Sequence, residues 1–249
     1  MIPLRSPAGR PFAIGHRGAM GHAPENTMPS FELGWQMGAG LLELDVHVTA
    51  DDQLAVIHDA TLERTTNGSG WVKDHTIAQI QALDAGGWYG PAFAGARVPL
   101  LGEVIEFARG KIGLAIEVKN GPIFYPRIAE LLIAELRRRA FVEEVLVISF
   151  DHPVLRQIKD LEPRIATGML YGCRLLDPVA IARAVGVSVL RPRQDYLAPE
   201  DVAELHAAGL AVSPWTANDE ATMRRLIPLG VDSMGTNYPD LLKKLVGDR

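Results

Sequence analysis

The stretch Leu41-Leu42-Glu43-Leu44-Asp45-Val46-His47-Val48, continuing into Leu54-Ala55-Val56-Ile57-His58-Asp59, decides how the rest of the chain is read. If Leu41 to Val46 is a strand, Glu43 and Asp45, two residues apart, leave the same face of it. Leu42, Leu44 and Val46 fill the other face. Such a strand is either a solvent-facing edge or a buried strand whose negative charges are offset by a cation or a shared proton. The density of Leu and Val favours the buried case, which makes Glu43 and Asp45 candidates for a metal site or a catalytic pair.

Upstream, the apolar run Pro11 to Ile14 ends in Gly15-His16-Arg17-Gly18, a strand that delivers a histidine and an arginine into a glycine-flanked loop. The loop continues through Pro24-Glu25-Asn26-Thr27. Asn26 or Thr27 is expected to cap the next helix, with Phe31, Leu33, Trp35 and Met37 on its apolar side. Glu25 reads as a first-turn acid that suits the helix dipole.

Downstream, residues 52–108 contain short elements and many glycines, and are expected to form a small inserted subdomain after the second strand. Because it begins where that strand ends, His58 can stand over Glu43 and Asp45. A regular rhythm follows: a strand at Lys111 to Val118, a helix at Pro126 to Arg139, then strands at Val145 to Phe150, Ala166 to Leu170, Val187 to Leu190, Ala211 to Trp215 and Asp232 to Thr236. Most of these later strands start roughly twenty to twenty-five residues apart, the spacing of βα units with parallel pairing. The count predicts an α/β fold, a closed (β/α)8 TIM barrel forming one domain over residues 1–249. An open doubly wound sheet is the alternative, but no Gly-x-Gly-x-x-Gly loop follows the first strand.

The chain has 249 residues, 47% hydrophobic and 22% charged, enough for a large core and too apolar for disorder. Its net charge is -5 with Lys and Arg scattered, so no nucleic-acid partner is expected. The basic run Arg137 to Arg139 suits a helix C-terminus. The single cysteine, Cys173, excludes an intramolecular disulfide and reads as a buried or incidental thiol. Without a signal-peptide core near Arg5 and Arg10, or an apolar run of bilayer length, the expectation is a cytoplasmic protein with no membrane anchor. Oligomeric state is left open.

Active groups of such a barrel collect at the C-terminal ends of its strands. Those ends carry His16 and Arg17, Glu43 and Asp45, His58, Glu117 and Lys119, Ser149, Arg191, Trp215, Thr236 and Asn237. Glu117 and Lys119 repeat the spacing of two within the apolar strand Leu114 to Val118. Three carboxylates without cysteine suit one hard divalent cation, Mg2+ or Ca2+. His16 and His58 serve either as proton carriers or as further ligands. Arg17 and Lys119 beside a cation favour an anionic substrate, most economically a phosphate ester. His47, on the face of Glu43 and Asp45, reads as structural. His22, His75, His152 and His206 read as surface or helix-end residues.

Taken together, the chain resembles the glycerophosphodiester phosphodiesterase family over nearly its whole length. The matching motifs, in order, are His16-Arg17-Gly18, Pro24-Glu25-Asn26-Thr27, Glu43-Leu44-Asp45-Val46, His58-Asp59, Arg64-Thr65-Thr66, Val98-Pro99-Leu100, Glu117-Val118-Lys119, Trp215-Thr216 and Thr236-Asn237-Tyr238-Pro239-Asp240. The resemblance implies a TIM barrel that hydrolyses glycerophosphodiesters, such as glycerophosphocholine, to glycerol 3-phosphate and an alcohol. It implies Glu43, Asp45 and Glu117 as metal ligands, His16 and His58 as the acid/base pair, and Arg17 and Lys119 as phosphate holders. Trp215 is implied as a wall of the glycerol or alcohol pocket, with barrel-rim packing the other reading. Asn237 stands where many members have Asp. Two other activities fit the same motifs: a lysophospholipase D-like or C-like phosphodiesterase, and a non-catalytic glycerophosphodiester-binding protein.

Overall fold

The computed structural model describes residues 2–6 and 10–247. Its strands are β1 (Phe12–Gly15), β2 (Leu41–Val48), β3 (Leu54–Val56), β4 (Gly113–Val118), β5 (Val145–Ser149), β6 (Ala166–Tyr171), β7 (Val189–Pro192), β8 (Ala211–Val212) and β9 (Ser233–Thr236). Eight of them run parallel in the order β8-β7-β6-β5-β4-β2-β1-β9, and β3 lies antiparallel on β2. The two ends of that order meet through backbone bonds from Asp232 to Val212 (2.9 Å), Gly235 to Pro214 (2.9 Å) and Ala217 to Gly235 (2.8 Å). The result is a nearly closed TIM barrel with helices between its strands. β8 is shorter than Ala211 to Trp215 because Pro214 has no amide to donate to a ladder. Trp215 makes only a single parallel bridge, to Arg193.

Period-two alternation sorts the strand residues into two cores. Phe12, Ile14, Leu41, Ala115, Leu146, Ile148, Leu170, Val189 and Ala211 face the lumen and pack together there. The alternate residues, Leu42, Leu44, Ile116, Val147, Met169 and Leu190 among them, pack outward under the helices. Glu43, Asp45 and Glu117 therefore continue the lumen face toward the C-terminal end of the barrel.

The first helix, Met28–Gln36, buries Ser30, Phe31 and Gly34 and leaves Trp35 exposed, a different face from the expected one. Close packing explains it: a methyl on Gly34 would stand 2.7 Å from Leu42 and 3.1 Å from Gly18, so only glycine lets this face approach β2. Thr27 does occupy the N-cap position, but its hydroxyl bonds back to the Pro24 carbonyl (2.6 Å) and caps nothing.

Between β2 and β4, Ala55, Ile57, Leu62, Val72, Ile80, Ala85 and Val98 form a separate apolar cluster. The helix Leu101–Ala108 buries its apolar side in the main core, as a crossover helix does. Cys173 is exposed and free rather than buried. No helix among the described residues is long and apolar enough to cross a membrane.

Candidate active site

The loop leaving β1 folds down onto the acids of β2. Arg17 and Asn26 hold left-handed backbone (φ 51° and 56°), and Gly18 (φ 88°) packs so tightly that a methyl there would meet Ser30 at 2.4–2.5 Å. These turns aim backbone and side-chain donors at the carboxylates. The Arg17 amide donates to Glu43 Oε2 (2.8 Å), and Asn26 Nδ2 donates to Asp45 Oδ2 (2.8 Å). The expected cap residue Asn26 is thus spent on Asp45.

Glu43, Asp45 and Glu117 are buried, and one oxygen from each lies within 4.8 Å of the others. Burial first, then Asp45 and Glu117, push Glu43 up to about 8. Burial and Asp45 likewise push Glu117 up to about 7. Arg17 and Lys119 hold Asp45 well below the usual carboxylate range despite its burial. Three acids this close cannot all ionise without added positive charge. Asp45 Oδ1 is buried with no hydrogen-bond partner. An all-oxygen donor set with an orphaned carboxylate oxygen fits a hard divalent cation.

Cations surround the acids. Lys119 Nζ lies 2.8 Å from Glu117 Oε1 and 3.6 Å from Asp45 Oδ1, and Arg17 Nε lies 3.3 Å from Asp45 Oδ2. The structure thus brings Arg17, Lys119 and the three acids together, as the sequence suggested.

The two histidines differ in their partners. His16 Nδ1 faces the Asn237 side-chain oxygen at 2.7 Å, an acceptor that fixes the proton on Nδ1 and leaves Nε2 with a lone pair. Burial, helped by Arg17, pushes His16 down to about 4. His58 Nδ1 instead faces the Asp59 carboxylate at 2.6 Å. Burial lowers His58 as well, with Asp45 and Asp59 opposing the shift.

Three residues of the matched motifs for which no role at the site was expected join it. Arg64 donates to both oxygens of Asp59 (2.6 and 3.0 Å) and to both oxygens of Glu25 (2.7 and 2.8 Å). Glu25 also accepts from Arg17 Nη1 (2.7 Å). It is therefore a buried ion-pair partner, not a helix-dipole acid. The chain His58–Asp59–Arg64–Glu25–Arg17 ties the segment after β3 to the loop after β1. Asp59 and Arg64 sit within the motif that follows His58, and that proximity was the available signal.

His47 is buried with Nδ1 against the Tyr125 hydroxyl (3.0 Å) and Nε2 against the His58 carbonyl (2.9 Å), a structural placement. His22 and His206 pair with Asp240 and Asp232, His75 bonds the Trp71 carbonyl and His152 the Leu170 carbonyl. Ser149 spends its hydroxyl on the Val118 carbonyl (2.7 Å). Trp215 Nε1 donates to the Arg191 carbonyl (2.9 Å), and its ring meets Phe150 edge-on at 5.3 Å. Beside them, Glu117, Lys119, Phe124, Phe150 and Asp151 line an open cavity of about 380 Å3. A larger depression of about 850 Å3 at the opposite end, by Ile2 and Arg164, holds none of these groups.

The model of the glycerophosphoryl diester phosphodiesterase family matches residues 16–241. A glycerophosphodiester phosphodiesterase of Caldanaerobacter subterraneus subsp. tengcongensis is 41% identical over 236 residues, 94% of this chain and 97% of that one. The crystal structure of a putative glycerophosphoryl diester phosphodiesterase from Silicibacter pomeroyi superposes with a TM-score of 0.90 at 29% identity, covering 98% of this chain and 95% of the other. An Oleispira antarctica phosphodiesterase, solved with the product sn-glycerol-3-phosphate, superposes with a TM-score of 0.86 at 30% identity over 95% of this chain and 97% of its own. A TIM barrel with acids and histidines at its C-terminal rim is an enzyme architecture. The chain belongs to the glycerophosphoryl diester phosphodiesterase family and is a phosphodiesterase of that kind.

Proposed function

We propose that the chain hydrolyses glycerophosphodiesters, such as glycerophosphocholine and glycerophosphoethanolamine, to glycerol 3-phosphate and the free alcohol, with a bound Mg2+ or Ca2+. The observation that carries this reading is the cluster of Glu43, Asp45 and Glu117 beneath two differently partnered histidines. The product seen in the Oleispira antarctica relative supports the glycerol phosphate side. Glu43, Asp45 and Glu117 would hold the cation, which when bound supplies positive charge to the phosphoryl oxygens.

The unequal partners of the histidines support different roles for them. Asn237 is a neutral acceptor that orients His16 without stabilising its charged form, so His16 is the base. Its Nε2 removes a proton from the attacking hydroxyl, either that of water, which gives glycerol 3-phosphate directly, or that of the neighbouring glycerol carbon, which gives a cyclic phosphate that a water must then open to glycerol 3-phosphate. Asp59 is a carboxylate that stabilises an imidazolium, so His58 is the acid. It gives its proton to the alkoxide as the P–O bond breaks, and the alcohol leaves neutral. Arg17 and Lys119 balance the charge that develops on the phosphoryl oxygens.

The test is release of glycerol 3-phosphate from glycerophosphocholine by purified protein after chelation, then with Mg2+ or Ca2+ restored. Activity that returns with one cation supports the reading, and the Glu43→Gln variant should lose both turnover and cation binding. A folded protein inactive with either cation would sink it. A second reading, a lysophospholipid as the diester, is favoured by the exposed Phe124, Phe150 and Leu176 on the loops after β4, β5 and β6. Turnover of lysophosphatidylcholine exceeding that of glycerophosphocholine would establish it.

A further inference from the structure

Arg191, at the C-terminal end of β7, takes no part in the chemistry above. Val189, two residues earlier, packs in the lumen cluster, so Arg191 faces the lumen too. β7 stands opposite β2 in the ring of parallel strands, and Arg191 therefore points from the far wall toward the side that carries Glu43 and Asp45. Its tip lies over β9, where a methyl built on Gly235 would stand 3.3 Å from Nη2. The residue is only 2% exposed. Even so, Nε and Nη1 are buried without a hydrogen-bond partner.

A guanidinium taken from water without acceptors costs several kcal/mol, and buried charged donors are normally paired. The negative charge of Glu43 and Glu117 offsets part of this cost. It leaves the two nitrogens without acceptors. Asp45 Oδ1 and Arg17 Nε, in the same site, also lack a hydrogen-bond partner, although each lies within ion-pair distance of an opposite charge. A group that offers several acceptor oxygens at this depth would meet the needs of the three guanidinium nitrogens, while Asp45 Oδ1, itself an acceptor, is left to the cation.

We propose that Arg191 is a substrate-binding residue whose Nε and Nη1 donate to oxygens of the glycerol phosphate half of the diester, from the wall opposite the β2 carboxylates. This rests on the phosphodiesterase reading above. The departing alcohol needs a way out, past exposed Phe124 and Phe150, whereas the half that stays must reach the buried acids. A guanidinium fork at that depth suits a phosphoryl group or a pair of vicinal hydroxyls.

The experiment measures sn-glycerol 3-phosphate and inorganic phosphate binding by calorimetry to cation-loaded wild type, Arg191→Met and Arg191→Lys, with cation affinity and thermal unfolding of each protein. Arg191→Met should weaken glycerol 3-phosphate about 10- to 100-fold, the equivalent of one or two charge-assisted hydrogen bonds. Arg191→Lys should weaken it less. Cation affinity should hold or rise, because a positive charge near the acids is gone. The unliganded Tm should not fall, because an unpaired buried charge has been removed. Phosphate weakened in parallel puts the fork on the phosphoryl oxygens, and phosphate unchanged puts it on the glycerol hydroxyls; either supports the proposal. Equal glycerol 3-phosphate affinity in wild type and Arg191→Met overturns it. So does a variant that melts lower and loses cation affinity together, the behaviour of a structural ion pair. Wild type that neither binds glycerol 3-phosphate nor cleaves a diester overturns the functional reading first, and this one with it.

Discussion

Exchanging the partners of the two histidines should move opposite limbs of the pH–rate profile. The Asp59 carboxylate lies 2.6 Å from His58 Nδ1, and both side chains are a little under one-third exposed. A hydrogen bond to a charged group contributes about 1.5–3 kcal/mol, equivalent to one or two pKa units. Two features favour the low end of that range: solvent screens the pair, and Arg64 already takes both Asp59 oxygens. Asp59→Asn should therefore lower the His58 pKa by about one unit. An acid must be protonated to act, so activity is lost as pH rises through its pKa. The alkaline limb of kcat/KM should move about one unit toward acid. Asn237→Asp does the converse at His16. A carboxylate 2.7 Å away raises a pKa that burial now holds near 4. A base must be deprotonated, so the acidic limb should move toward alkaline by about one unit or more. Profiles of both variants against wild type, with saturating cation at every pH, make the comparison. If Asp59→Asn moves the acidic limb and leaves the alkaline one in place, the assigned roles are reversed. If neither limb moves in either variant, these partners do not set the histidine charges.

Two further outcomes follow from the loop geometry. Arg64→Gln releases both Glu25 and Asp59, so kcat should fall about 10- to 100-fold with KM little changed, as for misplaced catalytic groups. Arg64→Lys should not restore it, since one ammonium cannot span two carboxylates; full activity in Arg64→Gln would remove the clamp from the mechanism. Gly18→Ala combines left-handed backbone with contacts of 2.4–2.5 Å to Ser30. It should cost about 2–4 kcal/mol and lower Tm by several degrees, measured by calorimetry, and an unchanged Tm would refute the tight fit.

The barrel was legible because its signal is local. Apolar runs separated by helical stretches mark β1, β2 and β4 to β9, and ends misjudged by one to three residues do not alter the topology. Glu43, Asp45, Glu117 and Lys119 could be found for the same reason, since a period of two puts them on one face. The clamp was not legible. Glu25 and Arg64 are 39 residues apart, and their meeting depends on how the segment after β3 folds back. Asn26 and Thr27 have capping side chains, yet the buried acid of β2 outcompetes the helix end for Asn26. Trp35 reads as core by its hydrophobicity, but the glycine at 34 decides which face of that helix can approach the sheet.

The antiparallel pairing of β3 on β2 also limits how this chain can vary. Val46, His47 and Val48 pair with Val56, Ala55 and Leu54, so a single hairpin holds Glu43 and Asp45 on one arm and presents His58 just beyond the other. Register in such a pair is all-or-none, because one residue gained or lost in the turn at 49–53 sends every later side chain to the opposite face. The spacing between the two carboxylates and His58 is therefore fixed by a residue count. Length can change freely only where no such pairing follows, as in the exposed loop around Leu176. Diversity in the alcohol accepted would accordingly be written into the far rim of the barrel, while the β2–β3 arm stays constant in length.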